Sequence, residues 1–339
     1  MNNMVKIAIN GFGRIGRPTL RRILDKHPDL EIAVINDLTD SQTLAHLLKY
    51  DSLYGIYKKQ VKPADDSLLI DDYKIKVLKE KEPAKLPWKE MEIDVVLECT
   101  GFFTKYEQAK AHLSAGAKKV IISAPSKSKE VPTFVLGVNE EKYNPEKDNI
   151  LSMGSCTTNC LAPMIKVIHE NFKIEKALMT TIHSYTNDQR LLDLPHEDLR
   201  RARAAALNLV PTTTGAAISV VETMPELKGK LDGIAIRIPT PVVSLTDLTA
   251  LVKEKVTIEE VNYAFKKAAS DERLKGILGI EDALLVSSDY KESSFSAIVD
   301  AASTMVIENN LIKILAWYDN EWGYACRLAE FAEFIGGKI

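Results

Sequence analysis

The stretch VKIAINGFGRIGRPTL, Val5 to Leu20, decides the fold. Val5–Ile9 is a short, β-branched run of strand character. Gly11, Gly13 and Gly16 follow, and then an amphipathic stretch continues through Leu24. Glycine turns are common, so G-x-G-x-x-G alone is a weak signal. Here a strand precedes it, and Pro18 falls in the first helical turn, where its missing N–H does no harm. Asp37 ends a second strand, Glu31–Asp37, about 20 residues beyond Gly16. The glycines permit a tight turn and close backbone approach, the helix N-terminus faces a pyrophosphate, and the carboxylate binds ribose hydroxyls. A carboxylate there repels a 2′-phosphate, which favours NAD over NADP.

Outward from this stretch the alternation repeats. SQTLAHLLKY (41–50) reads as a helix, IDVVLECTG (93–101) as a strand, 105–115 as a helix and KKVIISAP (118–125) as a strand. Strands alternating with helices imply βαβ units on a mostly parallel sheet. After Cys156 the runs lengthen and the helices thin out: KALMTTIHSYT, GIAIRIPTPVVSLTDLTALVKE, FSAIVDAASTMVI and IKILAWYDN. That pattern predicts a mixed or antiparallel sheet. The fold class expected is α/β, a Rossmann-type doubly wound parallel sheet plus an α+β catalytic domain. The expected domains are 1–155 for NAD binding and 156–320 for catalysis, with an amphipathic C-terminal helix, 321–339, packing back on the first.

Composition bounds the function. The chain has 339 residues, 45% of them hydrophobic and 27% charged, with a formal net charge of −3 and no long basic run. Such a balance gives no support for nucleic-acid binding. No apolar run approaches the ~20 residues of a membrane span, so no membrane partner is expected. The opening MNNMVKIAING lacks the pattern of a signal peptide, and four cysteines do not make a disulfide framework. A cytoplasmic location is expected.

Two of the cysteines stand in SMGSCTTNC, Ser152 to Cys160. From Ser155 this reads as a helix start, with Leu161, Ile165 and Ile168 as its apolar stripe. Cys156 and Cys160 then lie one turn apart, ~5–6 Å between Cβ atoms, too far for an undistorted bridge. No second Cys/His pair follows to complete a zinc site, so no metal is expected. Two inert core cysteines are the plain alternative. Position favours Cys156 as a reactive thiol, because the positive end of a helix stabilises a thiolate and Cys160 is one turn inside. A nearby imidazole would lower the thiol further. His183, among polar residues at the end of a strand, is the best placed of six histidines.

INGFGRIGR, SCTTNCLAP, HSYTNDQ, TTTGAA, RIPTP and YDNEWGY together resemble glyceraldehyde-3-phosphate dehydrogenase of the phosphorylating bacterial and eukaryotic type. The resemblance covers essentially the whole chain. It implies that Cys156 is the nucleophile and His183 its base. The aldehyde of glyceraldehyde 3-phosphate becomes a thiohemiacetal, then a thioester that inorganic phosphate cleaves. It places Ser155, Thr157, Thr214 and Gly215 around the attacking phosphate. Thr186, Arg203 and Arg237 hold the substrate phosphate, with Arg237 placed to reach both. For the cofactor it implies Gly11, Gly13, Arg14, Ile15 and Gly16 at the pyrophosphate turn, Asp37 at the ribose, and Lys81, Thr100 and Ser123 as further contacts. Asn320 orients the nicotinamide amide, and Leu194 with Pro195 matches the pair associated with NAD preference. The loop carrying that pair belongs to an insertion that, in the family, reaches a neighbouring subunit of a homotetramer. Met153, Gly154 and Val242 depart from the family pattern of Asn, Ala and Asn, removing amides near the nucleophile loop and the cofactor.

The rivals are an erythrose-4-phosphate dehydrogenase with the same Cys/His chemistry, a non-catalytic NAD-binding regulatory protein, and an oxidation sensor using Cys156. The intact TTTGAA motif suits phosphorolysis and speaks against the first. The Cys156/His183 pair speaks against the second, and the third is compatible with catalysis.

Overall fold

A computed structural model describes residues 4–339, and Met1–Asn3 of the opening segment lies outside the described residues. The chain divides into two compact units. One holds the residues up to Phe134 with Glu141–Gly154 and Ala325–Ile339; the other holds Val135–Glu140 and Ser155–Tyr324.

In the first unit β1 (Val5–Asn10) leads into α1 (Gly16–Lys26), β2 (Leu30–Asn36) and α2 (Ser41–Lys49). A small hairpin, β3 (Tyr50–Asp51) with β4 (Gly55–Ile56), precedes the antiparallel run β5 (Val61–Ala64), β6 (Ser67–Ile70) and β7 (Tyr73–Leu78). Then come β8 (Val95–Glu98), α3 (Tyr106–Ser114), β9 (Lys119–Ile122) and β10 (Ile150–Ser152). The sheet order is β10-β9-β8-β1-β2-β7-β6-β5, parallel from β10 to β7 and antiparallel at the β6 and β5 edge. Strands of a parallel sheet are covered on both faces, which is why Ile7, Ala8 and Ile9 of β1 and Val95, Val96 and Leu97 of β8 are all fully buried. The chain winds outward from β1 in both directions, so the loops after β1 and β8 diverge and open a crevice at that point.

The second unit begins with α4 (Cys156–Phe172) and continues through β11 (Ile174–Ser184), β12 (Val210–Thr212), α5 (Ala216–Thr223), β13 (Leu231–Ile238), β14 (Ser244–Val252) and α6 (Ile258–Ser270). It ends with β15 (Leu278–Glu281), β16 (Ala297–Asp300), β17 (Met305–Ile307) and β18 (Leu311–Tyr318). The order is β12-β13-β11-β14-β18-β16-β15, with β17 on β18. The sheet is mixed: β11 runs parallel to β13 and antiparallel to β14. Along β14 and β18 every second residue is buried, the period-2 sign of one covered face. That face packs with α4, α5 and α6 around Ile165, Ile168, Val220 and Phe265. The opposite face leaves Leu178 and Ile234 exposed.

The final helix, α7 (Trp322–Gly336), buries Leu328, Phe331 and Ile335. Within the first unit its Glu330 pairs with Arg22 at 3.2 Å and its Glu333 with His27 at 3.1 Å, both on or just beyond α1.

Candidate active site

The nucleophile position is built by a helix start. Ser155 is the N-cap of α4: its Oγ accepts the Thr158 N–H at 3.0 Å, while Thr158 Oγ1 accepts the Ser155 N–H at 3.0 Å. This reciprocal cap satisfies two end donors and fixes where the helix begins. Cys156 is therefore the first helical residue, half-buried, where the helix end favours negative charge. Its Sγ lies 3.4 Å from Nε2 of His183, near the end of β11. Thr157, the next residue, is buried, and its hydroxyl meets the Tyr318 hydroxyl at 2.8 Å. The same Tyr318 oxygen is 2.8 Å from Thr181 Oγ1, and the Tyr318 ring meets the His183 ring edge-on, with centroids 6.0 Å apart.

Parallel pairing of β11 with β13 sets His183 opposite Arg237. Arg237 Nη1 is 2.7 Å from His183 Nδ1 and 3.1 Å from the Ser184 carbonyl oxygen, and Nδ1 is itself 2.6 Å from that oxygen. Arg237 Nε is buried with no hydrogen-bond partner. Burial, with Arg237 as the second cause, pushes His183 down to about 3. Burial also pushes the Cys156 thiol up, outweighing the opposing pull of Arg237. Removal from water thus works against the helix-end stabilisation expected from the sequence. Helix-end stabilisation does not by itself offset removal from water.

The other phosphate candidates are placed as follows. Gly215 is the N-cap of α5, with open space where a Cβ would stand, and Thr214 Oγ1 accepts the Ala216 N–H at 3.2 Å. Thr186 lies in the turn after β11, its carbonyl accepting the Gln189 N–H at 2.9 Å. Arg203 is largely exposed and donates from Nε to Asp193 at 2.9 Å. Arg201, which the sequence reading passed over, donates to Asp188 at 2.5 Å and acts electrostatically on both His183 and Arg237. The buried Asn320 accepts through Oδ1 from Ser244 Oγ at 3.0 Å, and that oxygen accepts the Ser184 N–H at 3.1 Å. Tyr318, Ser184 and Ser244 also escaped the sequence reading, because lone hydroxyls on strands carry no spacing signal.

In the first unit, a cavity of about 860 Å³ opens at the crevice beyond β1 and β8. Gly11, Gly13, Asp37, Lys81 and Thr100 line it; Arg14, Ile15, Gly16 and Ser123 are not among its lining residues. Gly11 has φ +92°, and a Cβ there would fall 2.7 Å from the Thr100 nitrogen. A Cβ on Gly16 would fall 2.3 Å from the Gly11 carbonyl oxygen, whereas at Gly13 a Cβ would meet nothing within 4 Å. Two glycines thus close the turn and the third leaves room for a ligand. Asp37 accepts the N–H groups of Phe12 at 2.8 Å and Thr39 at 2.9 Å, which ties it to the glycine turn. Arg14 spends its side chain on Asp51 at 2.5 Å, so only its backbone remains for a pyrophosphate. Ser123 Oγ donates to the Glu98 carbonyl at 2.8 Å. The residues present fit a dinucleotide.

Residues 5–106 match the glyceraldehyde 3-phosphate dehydrogenase NAD binding domain, and residues 155–320 match the C-terminal domain of the same enzyme. The chain belongs to the glyceraldehyde-3-phosphate dehydrogenase family. It is 55% identical over 334 residues to the glyceraldehyde-3-phosphate dehydrogenase of Geobacillus stearothermophilus, covering 98% of this chain and 99% of that one. It is 53% identical over 335 residues to that of Streptomyces coelicolor, covering 99% of each. It is 52% identical over 334 residues to glyceraldehyde-3-phosphate dehydrogenase 1 of Bacillus subtilis, covering 98% and 99%. As a glyceraldehyde-3-phosphate dehydrogenase it is an NAD-dependent oxidoreductase of glycolysis. The erythrose-4-phosphate alternative is not favoured by these relatives. Among the described residues no helix is long and apolar enough to cross a membrane.

Proposed function

We propose that Cys156 and His183 carry the oxidation of glyceraldehyde 3-phosphate to 1,3-bisphosphoglycerate. The 3.4 Å approach of Sγ to Nε2 is the observation that carries this reading. Cys156 Sγ bonds to the aldehyde carbon, giving a thiohemiacetal whose hydroxyl proton passes to His183 Nε2. The Cys156 backbone N–H, at the free end of α4, steadies the oxygen that carries the developing charge. NAD, when bound, supplies the hydride acceptor. The resulting thioester is cleaved when a phosphate oxygen attacks the acyl carbon, the C–S bond breaks and the Cys156 thiolate leaves.

Ser155, Thr157, Thr214 and Gly215 hold the attacking phosphate in this reading, and Thr186, Arg203 and Arg237 hold the substrate phosphate. Hydroxyls, backbone N–H groups and guanidinium forks suit both tasks. The orphaned, buried Arg237 Nε supports an anion beside His183. Gly11, Gly13, Arg14, Ile15, Gly16, Asp37, Lys81, Thr100 and Ser123 hold the cofactor, and Asn320 orients its amide. The first of the two domains, about residues 1–155, serves the cofactor, and 156–320 serves catalysis.

The chain acts in the cytoplasm as a homotetramer. Supporting self-association, Leu178 and Ile234 on the open sheet face are 67% and 50% exposed, and Leu191, Leu194 and Leu199 in the loop after β11 are 80%, 59% and 81% exposed. Single-turnover mass spectrometry tests the chemistry. With aldehyde and NAD but no phosphate, an acyl group should remain on the peptide holding Cys156, and phosphate should clear it. An unmodified Cys156 would overturn the reading.

A further inference from the structure

Three strands of the first sheet end in polar residues that the parallel register sets side by side. Asn10 closes β1, Asn36 closes β2 and Glu98 closes β8. Asn10 lies opposite Asn36 on one side and opposite Glu98 on the other. All three are buried, with exposures of 1%, 5% and 1%. The other buried residues of β1 and β8, Ile7–Ile9 and Val95–Leu97, are apolar, so packing alone does not call for this polar layer. β7, the next strand beyond β2, leads into Glu80, whose backbone joins the row. The row crosses four neighbouring strands, about 14 Å at the usual strand spacing.

Two donors that cannot change role set the direction of every bond in the row. At one end the Glu80 N–H donates to Asn36 Oδ1 at 2.9 Å. Asn36 Nδ2 therefore donates to the Glu80 carbonyl at 2.8 Å and to Asn10 Oδ1 at 2.7 Å. That leaves Asn10 Nδ2 to donate to Glu98 Oε2 at 2.6 Å. At the other end the Trp88 indole N–H donates to His112 Nδ1 at 3.0 Å, so that nitrogen carries no proton. His112 Nε2–H then donates to the same Glu98 oxygen at 3.1 Å. Glu98 Oε1 accepts the Thr100 N–H at 2.8 Å and also the Thr100 hydroxyl. Glu98 thus receives four hydrogen bonds, the full complement of a carboxylate.

The two ends of this chain belong to the two sides of the 860 Å³ cavity. Glu80, Lys81 and Glu82 line it after β7. Thr100 and Phe102 line it after β8, and the Phe102 N–H donates to Thr100 Oγ1 at 3.1 Å. Glu98, His112 and Trp88 are not among its lining residues. We propose that Glu98, held by His112 and Trp88, is a positioning residue for the dinucleotide. It fixes Thr100 directly and the segment at Glu80 through Asn10 and Asn36, and so sets the spacing of the cavity's two sides. The proposal rests on the reading of this cavity as the cofactor site given above. A buried network with every member satisfied has one arrangement, because turning any amide would set donor against donor. A break along it frees the amides to turn and the two sides to move. Binding must then order them again, and affinity falls.

The test is calorimetric titration of NAD into wild type, Glu98→Gln, Trp88→Phe and the double variant, with steady-state KM values measured beside it. Glu98→Gln keeps the shape but sets an NH2 group against two of the four donors, whichever way its amide lies. It should raise the Kd for NAD about tenfold and leave the KM values for glyceraldehyde 3-phosphate and phosphate within about twofold. Trp88→Phe removes only the N–H that fixes the His112 tautomer and should raise the Kd about threefold. The double variant should bind no worse than Glu98→Gln alone, because both changes break one chain. Losses that multiply in the double variant would overturn transmission along the chain. A lowered urea midpoint with an unchanged Kd, or a KM for the aldehyde that rises with that for NAD, would show a merely structural role and overturn the proposal. If Glu98→Gln fails to fold, Trp88→Phe decides by the same criterion. Gly13→Ala, whose methyl enters open space at the cavity, is the control for the site itself. NAD binding unchanged in Gly13→Ala overturns the cofactor reading of the cavity and the positioning role with it. Binding weakened in Gly13→Ala but not in Glu98→Gln overturns the positioning role alone.

Discussion

Cys156 and Cys160 sit one turn apart on α4 in opposite circumstances. Cys156 is half-buried with its sulfur 3.4 Å from the His183 ring, whereas Cys160 is fully buried with its sulfur 4.0 Å from Met164 Sδ. Burial pushes the Cys160 thiol up to about 12, so it stays an inert, apolar core group. Cys156→Ser should cut turnover by about 10⁴-fold or more while NAD binding persists. Cys160→Ala should keep most activity and lower the denaturation midpoint by the equivalent of about 1 kcal/mol for the lost contacts. Comparable activity losses in the two variants would remove Cys156 as sole nucleophile.

The buried, neutral His183 makes stability depend on pH. Its folded value near 3 lies below the unfolded value of 6.5, so below pH 6.5 the unfolded chain takes up a proton that the folded chain refuses. Stability from this residue is complete above pH 6.5 and drains away as pH falls towards 3. Urea midpoints of wild type and His183→Asn should therefore converge between pH 7.5 and pH 5. His183→Asn should also lower turnover by about 10²–10⁴-fold at neutral pH.

Asp37 bonds to the Phe12 and Thr39 N–H groups, so its carboxylate is fixed at the cavity wall. NAD should be strongly preferred over NADP. Asp37→Ala should narrow the ratio of kcat/KM by about tenfold, through loss of ribose bonds and of repulsion from the 2′-phosphate. Equal wild-type efficiency with both cofactors would contradict this.

Gly16→Ala brings a Cβ within 2.3 Å of the Gly11 carbonyl oxygen, and backbone must move. The variant should lose about 1–3 kcal/mol of stability, read as a lower denaturation midpoint. It should weaken NAD binding as well. Gly13→Ala has space for its Cβ and should lose affinity without comparable loss of stability.

The first sheet was legible because parallel strands are buried on both faces and read as continuous apolar runs: the read strands at Val5, Glu31, Ile93 and Lys118 all recur in the sheet. The antiparallel edge, β5 to β7, was not read. β5 holds exposed Lys62 and Pro63 and carries no apolar period, and the alternation of β7, with Ile75 and Val77 buried between exposed Lys74 and Lys76, is too short to stand out. The nucleophile was legible from a cap, because Ser155 and Thr158 encode the helix start locally. Tyr318 was not, because its bonds to Thr157 and Thr181 span 161 and 137 residues. The opposing effect of burial on the Cys156 thiol was not legible for the same reason. Burial of Cys156 and the set of Arg237 against His183 are products of tertiary packing, and no local spacing carries them.

The most direct measurement is initial-rate NADH formation from glyceraldehyde 3-phosphate as inorganic phosphate is varied. Ser155, Thr157, Thr214 and Gly215 are proposed to hold phosphate beside the Cys156 thioester, where proximity lets it outcompete water. The rate should rise steeply with phosphate, and arsenate should substitute. Thr214→Ala should raise the KM for phosphate more than that for NAD. Steady turnover unchanged without phosphate or arsenate, with the free acid as product, would contradict the account.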